Sequence, residues 1–163
     1  VSARQLRRRD FCEMVAGVLA ETDLPPTLLE LELTESSVME NPEEAIEILQ
    51  RLGRMGISLA IDDFGTGYSS LAYLKLFPID HLKIDRSFVA DIETDLNDRA
   101  IAFGTIALAH SLGLNVIAEG VETEDQLERL RSNGCDEVQG FLLSKPLSSA
   151  AAFAFLHARC PAG

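Results

Sequence analysis

Four carboxylates, Glu32, Asp62, Asp63 and Glu119, lie within or at the ends of short apolar runs, and Lys83 sits inside another between Leu82 and Ile84. Two carboxylates about 4 Å apart repel by roughly 4 kcal/mol at an effective dielectric of 20, so a ring of these acids calls for protons or cations. Cations are the better answer at neutral pH. Ligation by oxygen alone favours Mg²⁺ or Mn²⁺ over zinc, and two such ions about 3.5 to 4 Å apart are suited to in-line attack on a phosphodiester. Lys83 reads equally as a structural ion-pair partner or as a catalytic or phosphate-binding group. Glu35 and Glu122 follow Glu32 and Glu119 by three residues, and they read as helix N-terminal acids or as supports for a loop.

These residues need elements that gather them. Between residues 28 and 158, β-branched or leucine-rich runs alternate with helical patterns, the signature of βα units and a parallel sheet. Strands are expected at Leu29 to Thr34, Ser58 to Asp62, His81 to Asp85, Val116 to Glu119 and Glu137 to Phe141. Side chains alternate along a strand. Leu31, Leu33, Leu59, Ile61, Leu82, Ile84, Val116 and Ala118 therefore face helices, while Glu32, Asp62, Lys83, Asp85, Glu119 and Gln139 face the interior of a barrel. Active sites of parallel barrels lie at the C-terminal strand ends, where most of these residues fall.

Helix signals are plain. A helix is expected over Asp10 to Glu21, another after Asn41 and Pro42 with Glu44 completing a capping box, and a long one over Asn97 to Leu112. Thr123 and Gln126 form a further capping box ahead of Leu127 and Leu130, with Gly134 beyond the end. The first helix has no strand in front of it.

The 163 residues, 47% apolar, suit one domain or part of one. A net charge of -12 argues against long nucleic acid as a ligand. No membrane span or signal peptide is expected. Cys12, Cys135 and Cys160 are odd in number and remote from one another, which fits a reducing, cytoplasmic setting and no zinc site. His81, His110 and His157 share no metal-ligand spacing. Asp63-Phe64-Gly65 is like the magnesium triplet of protein kinases and Gly65-Thr66-Gly67 like part of a P-loop, but their companion motifs are absent from the sequence.

Five segments in order, Glu30-Leu31-Glu32-Leu33-Thr34-Glu35-Ser36, Asp62-Asp63-Phe64-Gly65-Thr66-Gly67-Tyr68-Ser69-Ser70-Leu71, Leu82-Lys83-Ile84-Asp85, Ala118-Glu119-Gly120-Val121-Glu122 and Gln139-Gly140, resemble the successive motifs of EAL domains. The resemblance covers essentially residues 1–163. It implies a TIM-like α/β barrel that hydrolyses cyclic-di-GMP to linear pGpG with two Mg²⁺ or Mn²⁺ ions. Carried over by position, Glu32, Asp62 and Asp63 match metal ligands and Lys83 the lysine near the attacking water. Glu119 matches the acid at the metal-water site and proposed base, Asp85 a further acid of that site, and Gln139 a neighbour of it. Glu35 matches the residue that holds the loop after Asp63, and Phe64 to Leu71 the segment associated with metal binding and dimer contacts. Arg4 is a candidate for guanine or phosphate contact, although with Arg7, Arg8 and Arg9 it also reads as a solvated basic face.

The resemblance begins after the family's metal-binding asparagine, which would precede Val1, and after the Glu-Ala-Leu signature. The expectation is therefore a barrel without its early strands, poorly active as an isolated chain. Two other readings stand beside the phosphodiesterase: a non-catalytic cyclic-di-GMP receptor or signalling interaction module, and a different metal-dependent phosphodiesterase on the same barrel.

Overall fold

The computed structural model describes residues 1–66 and 71–159. In chain order the elements are α1 Ala3–Leu6, α2 Phe11–Thr22, β1 Glu30–Thr34, α3 Glu35–Met39, α4 Pro42–Arg54, β2 Ser58–Phe64, α5 Leu71–Leu74, β3 His81–Ile84, α6 Arg86–Ala90, α7 Leu96–Ser111, β4 Asn115–Glu119, α8 Glu124–Ser132, β5 Glu137–Gln139 and α9 Ser149–Arg159. The strands form one parallel sheet in the order β1-β2-β3-β4-β5. An unbroken order without a reversal is the winding of a barrel wall rather than of a doubly wound sheet. The fold is α/β and TIM-like. Among the described residues, no strand pairs with the outer edge of β1 or β5, although the Val1 amino group donates to the Glu32 carbonyl at 2.5 Å along β1.

Alternation along the strands builds the core. Leu33, Leu59, Ile61, Leu82, Ile84, Val116 and Ala118 are all 1% exposed or less and pack with Val38, Leu49, Leu52, Val89, Ile106 and Ala109 from the helices. Burying a large aliphatic side chain is worth about 1.5 to 3 kcal/mol, so this single layer holds the strand ends where the polar residues stand.

Several boundaries differ from the sequence reading. Leu29 precedes β1, as the cap of a 3₁₀ turn at Pro26–Leu28. Asp85 leaves β3 to cap α6, accepting hydrogen bonds from the Ser87 amide and hydroxyl. β2 runs on to Phe64. β5 stops at Gln139, Gly140 lies close against the backbone of Val121, and Phe141 beyond it is 56% exposed. The Asn41 side chain donates to the Glu44 carboxylate rather than capping the backbone of α4. The Thr123–Gln126 capping box forms as expected. None of the helices among the described residues is long and apolar enough to cross a membrane.

At the opposite end of the sheet, two aspartates close strand edges. The Asp80 carboxylate accepts from the Leu59 amide at 2.9 Å, and that of Asp136 accepts from the Val116 amide and the His110 ring, both at 2.8 Å. Burial raises the Asp136 pKa, but the bonds from His110 and Val116 outweigh it and hold the carboxyl below its ordinary range. A depressed folded pKa gives stability that is present above the unfolded value and lost as pH falls through the folded one. Asp136→Ala is therefore expected to cost about 1 to 2 kcal/mol near neutral pH. In urea melts the gap from the wild type should close below the ordinary aspartate range.

Candidate active site

Lys83 is the centre of the polar face of the sheet. Its side chain is 3% exposed, in β3 between the strands that carry its partners. Nζ lies 2.5 Å from Glu32 Oε1 on β1, 2.5 Å from Glu119 Oε1 on β4 and 3.7 Å from Asp62 Oδ1 on β2. The bond to Glu32 must cross β2, and the β2 residue beside Glu32 in register is Ala60, small enough to leave the way open. Burial pushes the ammonium pKa down, but hydrogen bonds with Glu119 and Glu32 and the charges of Glu119 and Asp62 more than offset this, so Lys83 stays protonated.

Asp62 and Asp63 are adjacent, and in a regular strand they would face opposite sides of the sheet. A bulge resolves the conflict. Ile61 pairs with Leu82 and Phe64 with Ile84, so β2 spends one residue more than β3 over this step. Asp63 takes up the extra residue in the left-handed region, at φ 56°, a conformation unusual outside glycine and concentrated at functional sites. The Asp63 carboxyl is pushed up by burial and by the charges of Asp62 and Asp85, and Lys83 only partly offsets them. Glu35, 4% exposed at the start of α3, accepts from the Gly65 amide at 3.2 Å and ties the chain after Asp63 to the helix after β1.

The remaining sequence candidates divide. Gln139 ends β5 in register with Glu119, exposed, and lines a cleft with Glu30, Glu32 and Ile117. Glu122 is exposed and its amide donates to Gln126; its side chain lines a separate cleft with Arg86, Ser87 and Gly120. The structure gives Glu122 no link to Lys83. Arg4 is exposed on α1. Of the segment Phe64 to Leu71, residues 67–70 lie outside the described residues.

One polar group escaped the sequence reading. Below the Lys83 cluster, His81 Nδ1 lies 2.7 Å from Glu30 Oε2, which also accepts from Ser58 Oγ at 3.0 Å. The signal was available, since Glu30 and His81 precede Glu32 and Lys83 by two and so share their face.

The donors around Lys83 are carboxylate oxygens, which suit hard divalent cations. As the side chains stand they are drawn onto the ammonium, and no three His, Cys, Asp or Glu side chains among the described residues converge on one metal-sized point. The acids of Glu32, Asp62, Asp63, Asp85 and Glu119 nevertheless outnumber the one ammonium among them. That excess negative charge, with the raised pKa of Asp63, is what a cation would relieve.

A family model described as EAL domain matches residues 1–146. The chain is 50% identical over 156 residues to "Cyclic di-GMP phosphodiesterase NbdA" of Pseudomonas aeruginosa, covering 96% of this chain and 20% of that protein. Its fold is similar to "PaMucR Phosphodiesterase, c-di-GMP complex", with a TM-score of 0.91 at 43% identity over 93% of this chain and 62% of that one. The manganese and cy-diGMP complex of Klebsiella pneumoniae BlrP1 superposes with a TM-score of 0.79 at 35% identity, covering 87% of this chain and 36% of that one. The chain thus spans about a fifth of the length of the curated relative.

Proposed function

Because the chain belongs to the EAL-domain family, we propose that it supplies Lys83, Glu32, Asp62, Asp63 and Glu119 to a site that hydrolyses cyclic-di-GMP to linear pGpG. The observation that carries the reading is the convergence of Glu32, Asp62 and Glu119, from three strands, on one buried lysine. Convergence at the C-terminal ends of a parallel sheet is where barrel enzymes do their chemistry. The relatives named for this activity lend the substrate.

In this reading Glu32, Asp62, Asp63 and Glu119 hold two Mg²⁺ or Mn²⁺ ions, which when bound offset phosphate charge and make water more acidic. Lys83 Nζ, always a donor when charged, orients the attacking water toward phosphorus. A Glu119 carboxylate oxygen, beside Lys83, accepts the proton that water loses. Asp85 keeps the start of α6 against the site, Glu35 holds the turn after Asp63 by the Gly65 amide, and Gln139 borders the opening. Arg4 is left as a candidate for guanine or phosphate contact. Glu122 supports the turn between β4 and α8 rather than the reacting atoms.

The same proposal places the reaction in the cytoplasm, in keeping with unpaired Cys12 and Cys135, and lets two copies meet through Phe64 to Leu71, where Leu71 is 55% exposed. The test is pGpG release from cyclic-di-GMP by the intact protein with Mg²⁺ or Mn²⁺, and its loss on chelation with EDTA. Tight binding of cyclic-di-GMP without any turnover would replace this reading with the receptor.

A further inference from the structure

The lower polar group is built as a copy of the upper one. Glu32 on β1 bridges to Lys83 on β3, across Ala60 of β2. Glu30, two residues earlier on β1, bridges to His81, two residues earlier on β3, and here β2 contributes Ser58, whose hydroxyl bonds the shared Glu30 oxygen. Ser58 Oγ is also 3.3 Å from His81 Nδ1. The side chains of His81 and Glu30 are 16% and 30% exposed, so the pair is sheltered more than a surface bridge. Three strands are stitched at this level by side chains in addition to their backbone ladder.

β1 pairs through its backbone with β2, and the side chains of Glu30 and Glu32 carry the link on to β3. β1 also carries the most exposed acid of the cluster, for the Glu32 side chain is 46% exposed while those of Asp62 and Glu119 are 23% and 20%. A carboxylate with that freedom is held at a site chiefly by where its strand places it.

We propose that Glu30, Ser58 and His81 form a positioning tier that holds β1 against β3 so that Glu32 is set for cation binding. The inference rests on the functional reading above. None of the three touches the reacting atoms. They act on Glu32 through the strand that carries it, not by a bond to its carboxylate, and loss of one is expected to cost about as much as the weaker losses of supporting groups around a metal, on the order of tenfold in affinity.

The test is direct Mn²⁺ binding to the intact protein, read by titration against the electron-spin signal of free Mn²⁺, together with thermal unfolding. His81→Leu fills similar space without a donor and is expected to weaken Mn²⁺ binding on the order of tenfold. His81→Asn restores a donor near Nδ1 and should recover most of that affinity. Ser58→Ala, a milder change in case His81→Leu fails to fold, should weaken binding in the same direction by a smaller factor. If His81→Leu lowers only the unfolding temperature and leaves Mn²⁺ affinity as in the wild type, or if His81→Asn binds no better than His81→Leu, the tier has no positioning role. A wild-type protein that takes up no Mn²⁺ would overturn the functional reading itself, and this inference with it.

Discussion

Lys83→Met is expected to lower cyclic-di-GMP hydrolysis by about 10² to 10³-fold, the size of effect seen when a preorganised charged donor is removed from a reaction centre. Methionine keeps most of the length of the stem, so the packing around a side chain that is 3% exposed survives, and what is lost is the ammonium. Its loss also strips the common partner from Glu32, Asp62 and Glu119. Without divalent cation those acids repel one another, although Glu32 can turn toward water. The expected destabilisation is therefore about 1 to 3 kcal/mol, below the figure for fully buried pairs. Saturating Mn²⁺ should shrink the loss of stability and leave the loss of rate. The measurements are kcat/KM for pGpG release and urea melts with and without Mn²⁺. An unchanged rate would reduce Lys83 to a counter-ion for the acids.

Gly140→Ala is expected to destabilise the protein by about 3 kcal/mol or more, at or beyond the upper end of ordinary overpacking. A Cβ at this position would stand 2.0 Å from the Val121 carbonyl oxygen and 2.4 Å from its nitrogen. Those atoms belong to backbone already committed, since the Val121 amide donates to Gln139 and its carbonyl accepts from Leu142. Neither can yield without opening the junction of β4 and β5. The contrast is Gly53, where an added Cβ meets nothing within 4 Å in the last turn of α4. There alanine removes the flexibility of glycine and should raise stability by about 0.4 to 1 kcal/mol. Chemical denaturation of both variants gives the comparison, and equal stabilities would show that the junction relaxes freely.

Much of this arrangement can be read from sequence because it depends on local rules. Leu59 and Ile61 against Ala60 and Asp62 give the facing of β2, and Thr123 with Gln126 gives the start of α8, since a two-residue period and a capping box are each complete within a few positions. What the sequence leaves open depends on partners far along the chain. The Lys83 bond to Glu32 spans 51 residues, and nothing near either residue says that they meet. Asp85 alternates correctly for a strand yet caps a helix, for β3 ends at Ile84 opposite Phe64, the last residue of β2, and the Asp85 carboxylate accepts from the Ser87 amide. The Glu30–His81 pair is legible in parity, but the spacing of histidines along the chain carries no sign of an acid on another strand. Gly140 reads as part of β5 in sequence, and its closeness to the Val121 backbone is visible only in the fold.

The extra residue in β2 has a consequence for how this architecture can change. Strand alternation is a two-step rhythm, and the bulge shifts its phase: Leu59 and Ile61 reach the core on odd numbers, and Phe64 reaches it on an even one. A chain one residue shorter here, without Asp63, would keep an uninterrupted beat and still deliver the phenylalanine to the same side. The hydrophobic core therefore exerts no selection for the second aspartate. On the proposed function that acid serves the chemistry at the mouth, and a variant without it would relax the left-handed residue without disturbing the packing beneath.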